Sequence, residues 1–236
     1  MVYTINMRFP ALLIIFLLTL IPVSADSFWD DINWSIRGTI LYFAADNGSS
    51  ADPAPVLPSL GVSADRPLWG PLRLEVTQDI YFTNYEYNTE FGYAMACNPE
   101  NRSAFVMGFI TGVQLTGFIP ISDKGINLRV YGGPSADIRL VVQAFGLRSD
   151  NFTGDIETDP GMQTNAIRKY FWSDGRWFFP MLGAGVDFPV NEKFLLGFDL
   201  RTWVPLYRLW TDKNIPAIDG WRFGIGVRLT PRKNPD

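Results

Sequence analysis

The sequence predicts an all-β fold: an eight-stranded, antiparallel, up-and-down transmembrane β-barrel. Three observations predict it. Run after run alternates with a period of two, and large apolar residues keep to one parity while charge and glycine keep to the other. The connections between runs alternate between long and tight. A secretory-type leader precedes a chain whose only cysteine is Cys97, so no internal disulfide and no cysteine-based zinc site is available. Alternation over such lengths means strands whose two faces meet different environments.

Composition sets the outer bounds. The chain has 236 residues, enough for one sizeable domain. It carries 20 Lys plus Arg against 24 Asp plus Glu, without a basic patch, which argues against nucleic acid as a partner. Mean hydropathy is +0.04. That is too polar for a bundle of membrane helices, but it suits a barrel in which every second residue meets lipid. At the N-terminus, Arg8 supplies a positive region and Phe9 to Val23 an apolar core. Val23-Ser24-Ala25 is a small-residue cleavage site. The expected organisation is a signal peptide over 1–25, the barrel over 26–230 and a short tail over 231–236.

The first strand is expected over Ile32 to Ala45, with Ile32, Trp34, Ile36, Gly38, Ile40 and Tyr42 on its apolar face. Trp34 and Tyr42 are eight residues apart. That is about 27 Å along a strand, or about 20 Å of height at a tilt of about 40°, the spacing of two aromatic girdles. Asp46 to Gly70, rich in Pro, Ser, Ala and Asp, reads as a long exposed loop. The second strand is expected over Pro71 to Thr83, a turn at Asn84 to Asn88, the third strand over Thr89 to Cys97 and a loop near Asn98. The fourth strand, Ala104 to Pro120, ends at the tight turn Ser122-Asp123-Lys124-Gly125. The fifth starts at Ile126, bends at Gly132-Gly133-Pro134 and resumes through Ala144 in the same parity. Leu147 to Tyr170 reads as a second long polar loop.

The clearest stretch is Trp177 to Leu206. It holds the sixth and seventh strands, joined at Val190-Asn191-Glu192-Lys193 as a β-hairpin. Leu182, Ala184, Val186 and Phe188 share a face with Phe194, Leu196, Phe198 and Leu200. Gly183, Gly185, Asp187, Gly197, Asp199 and Arg201 lie opposite. After a loop over Trp210 to Asp219, the last strand runs from Gly220 to Leu229. It alternates Trp221, Phe223, Ile225 and Val227 with Arg222, Gly224, Gly226 and Arg228.

With the apolar parity toward lipid, the polar parity lines the lumen. Arg37, Arg73, Glu75, Asp79, Arg129, Asp187, Asp199, Arg201, Arg222 and Arg228 are the expected lumen network, with Asp137 and Arg139 on the same parity. Eight strands leave an interior filled by side chains, and buried charges persist only when paired. Trp34, Tyr42 and Trp221 are the expected aromatic girdle. Phe118, Tyr131, Trp177, Phe179 and Trp203 are expected to point inward near the mouths.

An internal echo supports this register. Gly112-Val-Gln-Leu-Thr-Gly-Phe-Ile-Pro-Ile-Ser-Asp-Lys124 resembles Gly183-Ala-Gly-Val-Asp-Phe-Pro-Val-Asn-Glu-Lys193, and proline, lacking an N–H, suits the strand end in both. With these repeated turns, the layout from Asp26 to Leu229 resembles the small eight-stranded outer-membrane proteins of the OmpX, OmpW and OmpA barrel kind. It departs from them at the C-terminus. Such families end on an aromatic residue, whereas here the strand ends at Leu229 and Thr230 to Asp236 follow. The resemblance implies residence in the outer membrane of a double-membrane bacterium, with outer-membrane lipid as a partner. It also implies a narrow, porin-like role admitting small apolar solutes. The alternative is a structural or surface-adhesion barrel whose long outer loops bind host or envelope partners.

Chemistry is not expected. Enzymatic outer-membrane barrels resemble one another in using a histidine base, and this chain has no histidine. No phosphate loop or dinucleotide fingerprint occurs, and no cofactor is expected. The acids Asp46, Asp52, Asp65, Asp150, Asp155, Glu157 and Asp159 read as solvated loop charge rather than a metal site.

Overall fold

Ten strands and one longer helix follow one another through residues 31–44, 56–90, 92–97, 104–142, 154–156, 159–209 and 220–232, the residues described by a computed structural model. The strands are β1 (Asn33–Phe43), β2 (Val56–Trp69), β3 (Leu72–Asn88), β4 (Tyr93–Cys97) and β5 (Ala104–Ser122). They continue as β6 (Ile126–Gly133), β7 (Ser135–Val142), β8 (Met181–Pro189), β9 (Phe194–Trp203) and β10 (Arg222–Pro231). Helix α1 spans Pro160–Trp172. All of these belong to the unit Asn33–Asp236. The proposed leader, Met1 to Ala25, lies outside the described residues.

The sheet closes on itself. Every pairing is antiparallel: β1 with β2 and β10, β2 with β3, β3 with β5, β5 with β6 and β7, β6 with β8, β8 with β9, and β9 with β10. β6 and β7 are two halves of one wall strand, so the barrel has eight walls. The break falls at Pro134, where the sequence places a bend. Gly133 is required beside it, because a Cβ there would overlap the Val113 carbonyl of β5. The short β4 lies off the wall and, among the described strands, pairs only with the far end of β3.

The two parities separate as a membrane barrel demands. Trp34, Ile36, Ile40, Leu60, Val62, Leu74, Val76, Phe198, Leu200, Ile225 and Val227 all project outward and are exposed. Charged residues of the same strands are buried inside. A soluble barrel would place these sets the other way round, since charge is buried only at a cost and large apolar belts avoid water. The molecule is a membrane-spanning barrel, and tight turns (Gly70–Pro71, 123–125 and 190–193) mark one end while long connections mark the other.

Four local expectations are corrected. Asp46 to Gly70 is not one loop: Val56–Trp69 is the second wall strand, in register with β1 (Ser35 opposite Ser63) and β3. Its outward parity is Val56, Pro58, Leu60, Val62 and Ala64, and its inward parity is Leu57, Ser59, Gly61, Ser63 and Asp65. Small inward residues give it a loop-like composition; the space in front of Gly61 is taken by the Asp79 carboxylate of β3. Asn84 to Asn88 is not a turn but the end of β3. The expected third strand shrinks to Tyr93–Cys97 and leaves the wall. Finally, the expected polar loop over Leu147 to Tyr170 contains most of α1.

Candidate functional site

Strand register sets the height of each inward side chain, and height decides which charges meet. In the middle of the lumen eight charged groups form one alternating chain. Asp79 accepts from Arg201 at 2.7 Å and from Arg37 at 3.0 Å. Arg37 reaches Glu75 at 3.9 Å, and Arg228 reaches Glu75 at 3.3 Å. Arg228 also reaches Asp187 at 3.0 Å. Arg129 then bridges Asp187 and Asp199, both at 2.7 Å. Four guanidinium groups meet four carboxylates, so the chain carries no net charge, and every member is almost fully buried. Isolated ions here would lose several kcal/mol each to desolvation; alternation offsets that loss. Tyr131 donates to Asp199 at 3.0 Å and Thr116 to Glu75 at 3.0 Å, while Thr39 bonds Arg201.

Glycine on neighbouring walls makes room for this chain. Asp79 stands opposite Gly61, Arg129 opposite Gly185, Asp187 opposite Gly197, and Asp199 opposite Gly185 and Gly226. A Cβ at Gly61, Gly185 or Gly197 would overlap the facing carboxylate. The charge-and-glycine parity of the sequence is thus one packing solution.

Two members of the expected network lie elsewhere, for reasons of height. Arg73 sits at the tight-turn end, partly exposed, paired with Asp65 at 2.5 Å and lying 5.0 Å from the Phe118 ring. Arg222 opens β10 at the other end. There it binds Asp137 at 2.5 Å, and Arg139 binds the same carboxylate at 3.1 Å. Tyr81 donates to Asp137 as well, at 2.9 Å.

Above the eight-charge chain the lumen turns aromatic. Phe43, Tyr81, Tyr131, Phe179, Trp203 and Tyr207 are buried in one cluster with Leu41 and Met181. The rings of Tyr81 and Tyr131 lie across Gly108 and Gly183, where no methyl group fits. Of the aromatics expected inward, Tyr131, Phe179 and Trp203 are buried; Phe118 and Trp177 are only partly so. Of the expected girdle, Trp34 faces out at the tight-turn end. Tyr42 and Trp221 lie at the other, each within stacking distance of Phe223 (6.3 and 6.2 Å). Trp69, inside the misread loop, is exposed at the tight-turn end.

Helix α1 closes the long-connection end. Asp159 caps it, accepting from Gly154, Gly161 and Met162 at 2.9, 2.8 and 3.1 Å, and Pro160 follows at its first position. These backbone N–H groups hold the Asp159 carboxyl below the usual aspartate range, the Gly154 bond foremost. Ile167 and Phe171 pack on Tyr85, Ala104, Val106 and Val141, the inward residues of β3, β5 and β7. Gln163 stitches the helix to β3, accepting from Tyr87 N–H at 2.7 Å and donating to its carbonyl at 3.2 Å.

Between α1 and the aromatic layer lies a cavity of about 70 Å³. Among the described residues its lining includes Arg139, Arg176 and Arg222 and no acidic residue. Each guanidinium lies against aromatic rings: Arg222 between Phe179 (3.9 Å) and Phe43 (4.6 Å), Arg139 on Phe171 (3.9 Å), and Arg176 on Tyr170 (4.3 Å) and Tyr207 (4.9 Å). Arg176 was not singled out from sequence; its one legible signal is a position among Tyr170, Phe171, Trp172 and Trp177. Of the loop acids, Asp65 pairs with Arg73 and Asp159 is a helix cap; Asp46, Asp52, Asp150 and Glu157 lie outside the described residues.

No family model matches the chain, and no curated protein matches it. Solved structures do. Neisserial surface protein A is 13% identical, with a TM-score of 0.46, covering 84% of this chain and 96% of that one. Ail, the attachment invasion locus protein of Yersinia pestis, solved with the heparin analogue sucrose octasulfate, is 9% identical, with a TM-score of 0.44, covering 85% and 95%. The outer membrane protein OprG of Pseudomonas aeruginosa is 9% identical, with a TM-score of 0.44, covering 84% and 95%. The barrel itself is carried by the closed strand order above.

Proposed function

We propose that this chain is an outer-membrane barrel that works as a sealed anchor and presents a binding surface at its long-connection end. The filling of the lumen carries this reading: a neutral chain of eight buried charges, then an aromatic layer, then α1 in the mouth. Side-chain volume fills a barrel of this size, which weighs against the narrow porin-like role for small apolar solutes that the resemblance implies. The opposite end supports the surface role. The long connections gather there, and Met162, Trp172 and Leu209 expose apolar surface around the mouth. The partner would be a host or envelope ligand, held by the connections and α1.

The barrel reconstituted in planar bilayers should give no conductance steps above bare lipid, and cells expressing it should take up hydrophobic dyes no faster than cells without it. Discrete openings, or faster uptake, would restore the porin-like reading.

A further inference from the structure

We infer that the cavity beneath α1 is a binding site for a small aromatic anion, a single ring carrying one carboxylate. This rests on the reading of the mouth as the working end. Three observations support it. The first is charge. Arg139, Arg176 and Arg222 line the cavity without an acid among the described lining residues. The carboxylates that meet them lie outside the lining: Asp137 is already shared by Arg139, Arg222 and Tyr81, and Asp174, the partner of Arg176 at 3.2 Å, is half exposed. Among the described residues, three buried guanidinium groups thus meet one buried and one half-exposed carboxylate, and an entering anion balances the remaining positive charge. In the lower lumen, by contrast, four face four.

The second observation is the wall. The remaining lining is largely aromatic, with Tyr85, Phe171, Tyr207 and Trp221 among it. Such a wall accepts a flat ring edge-on or stacked, while the arginines hold its acidic group by charge-assisted bonds. The third is size. By this measure of volume a water needs about 10–15 Å³, so about 70 Å³ holds about five waters. One six-membered ring with one carboxylate fills that space; a sugar acid chain or a lipid head with its tails does not.

The test uses 4-fluorobenzoate as probe, with the whole mature barrel folded in non-ionic micelles and ligand binding read by ¹⁹F line broadening. Neutral 4-fluorobenzamide and inorganic sulfate are run beside it. The benzoate should bind, and the amide should bind at least about ten-fold more weakly, since it lacks the charge. Arg176→Gln should weaken benzoate binding by about ten-fold or more, and Arg176→Lys should restore part of it. Arg176 sits outside the wall strands, and a heat-shift gel reports whether each variant is folded. Three results would overturn the inference: no benzoate binding to the folded wild-type barrel, equal binding of benzoate and benzamide, or undiminished binding to folded Arg176→Gln. Sulfate displacing benzoate at equal concentration would overturn the aromatic part. None of these outcomes bears on conductance, so the sealed-anchor reading stands or falls separately.

Discussion

At the scale of the residue, the lumen shows that buried charge is tolerable when it alternates. Removing one member leaves its neighbours uncompensated. Arg129→Leu strands both Asp187 and Asp199, so it should cost about 3–5 kcal/mol in urea unfolding of the barrel from lipid vesicles. Asp65→Asn opens the Arg73 pair at the tight-turn end, where the arginine side chain is 31% exposed; it should cost less than about 1 kcal/mol. Equal costs would mean that the central chain is not a coupled unit. Parity was the legible part of this site: alternation in the sequence is enough to turn Arg37, Glu75, Asp79, Arg129, Asp187, Asp199, Arg201 and Arg228 inward. Height was not legible. Parity says which face a side chain is on but not how far along the axis it lies, so Arg73 and Arg222 were grouped with charges that sit at another level. Height follows from register, and the register of β3, which carries Arg73, depends on β2, whose existence the sequence concealed.

At the scale of the element, β2 and α1 were hidden for opposite reasons. β2 has the alternation of a strand but the composition of a loop. Its inward Ser59, Gly61 and Ser63 are small because other walls fill the space in front of them. The apolar residues of α1 are interrupted by Gln163, Thr164, Asn165, Arg168 and Lys169, and Ile167 and Phe171 make its main apolar contact with the barrel. Its legible signature is the Asp159-Pro160 start, which pairs an N-cap with a proline at the first helical position. That cap sets a pH dependence. Because the bonded carboxyl titrates below its ordinary value, its contribution is complete above the ordinary aspartate range and is lost as pH falls through the lowered value. The amide resonances of Gly161 and Met162 should therefore hold steady from neutrality down to about pH 5 and shift toward unfolded positions below about pH 4. Asp159→Asn should abolish that acid transition. A transition persisting unchanged in this variant would place the titrating group elsewhere.

At the scale of the whole molecule, the feature most legible in the sequence was the alternation of long and tight connections. It survives the corrections because misreading β2 as loop and β4 as wall left the strand count unchanged. The structure sharpens it: each tight turn lies at one end, and the closure segment α1 and the arginine-lined cavity lie at the other. The same axis orders the outer surface. Trp34 marks one margin of the apolar belt and Tyr42 the other, and Gly38 lies midway between them along β1. Register places Leu60 beside Gly38 and Val56 beside Tyr42. Both face outward, Leu60 at 73% exposure and Val56 at 63%. In water their replacement by arginine would be nearly equivalent, within about 0.5 kcal/mol of neutral. In a bilayer depth separates them. Leu60→Arg should destabilise the barrel by about 2–4 kcal/mol, and Val56→Arg by only about 0–1 kcal/mol, both read from urea unfolding in vesicles. Matching costs at the two positions would refute the lipid belt, and with it the assignment of inside and outside on which the lumen, the mouth and the anchor all depend.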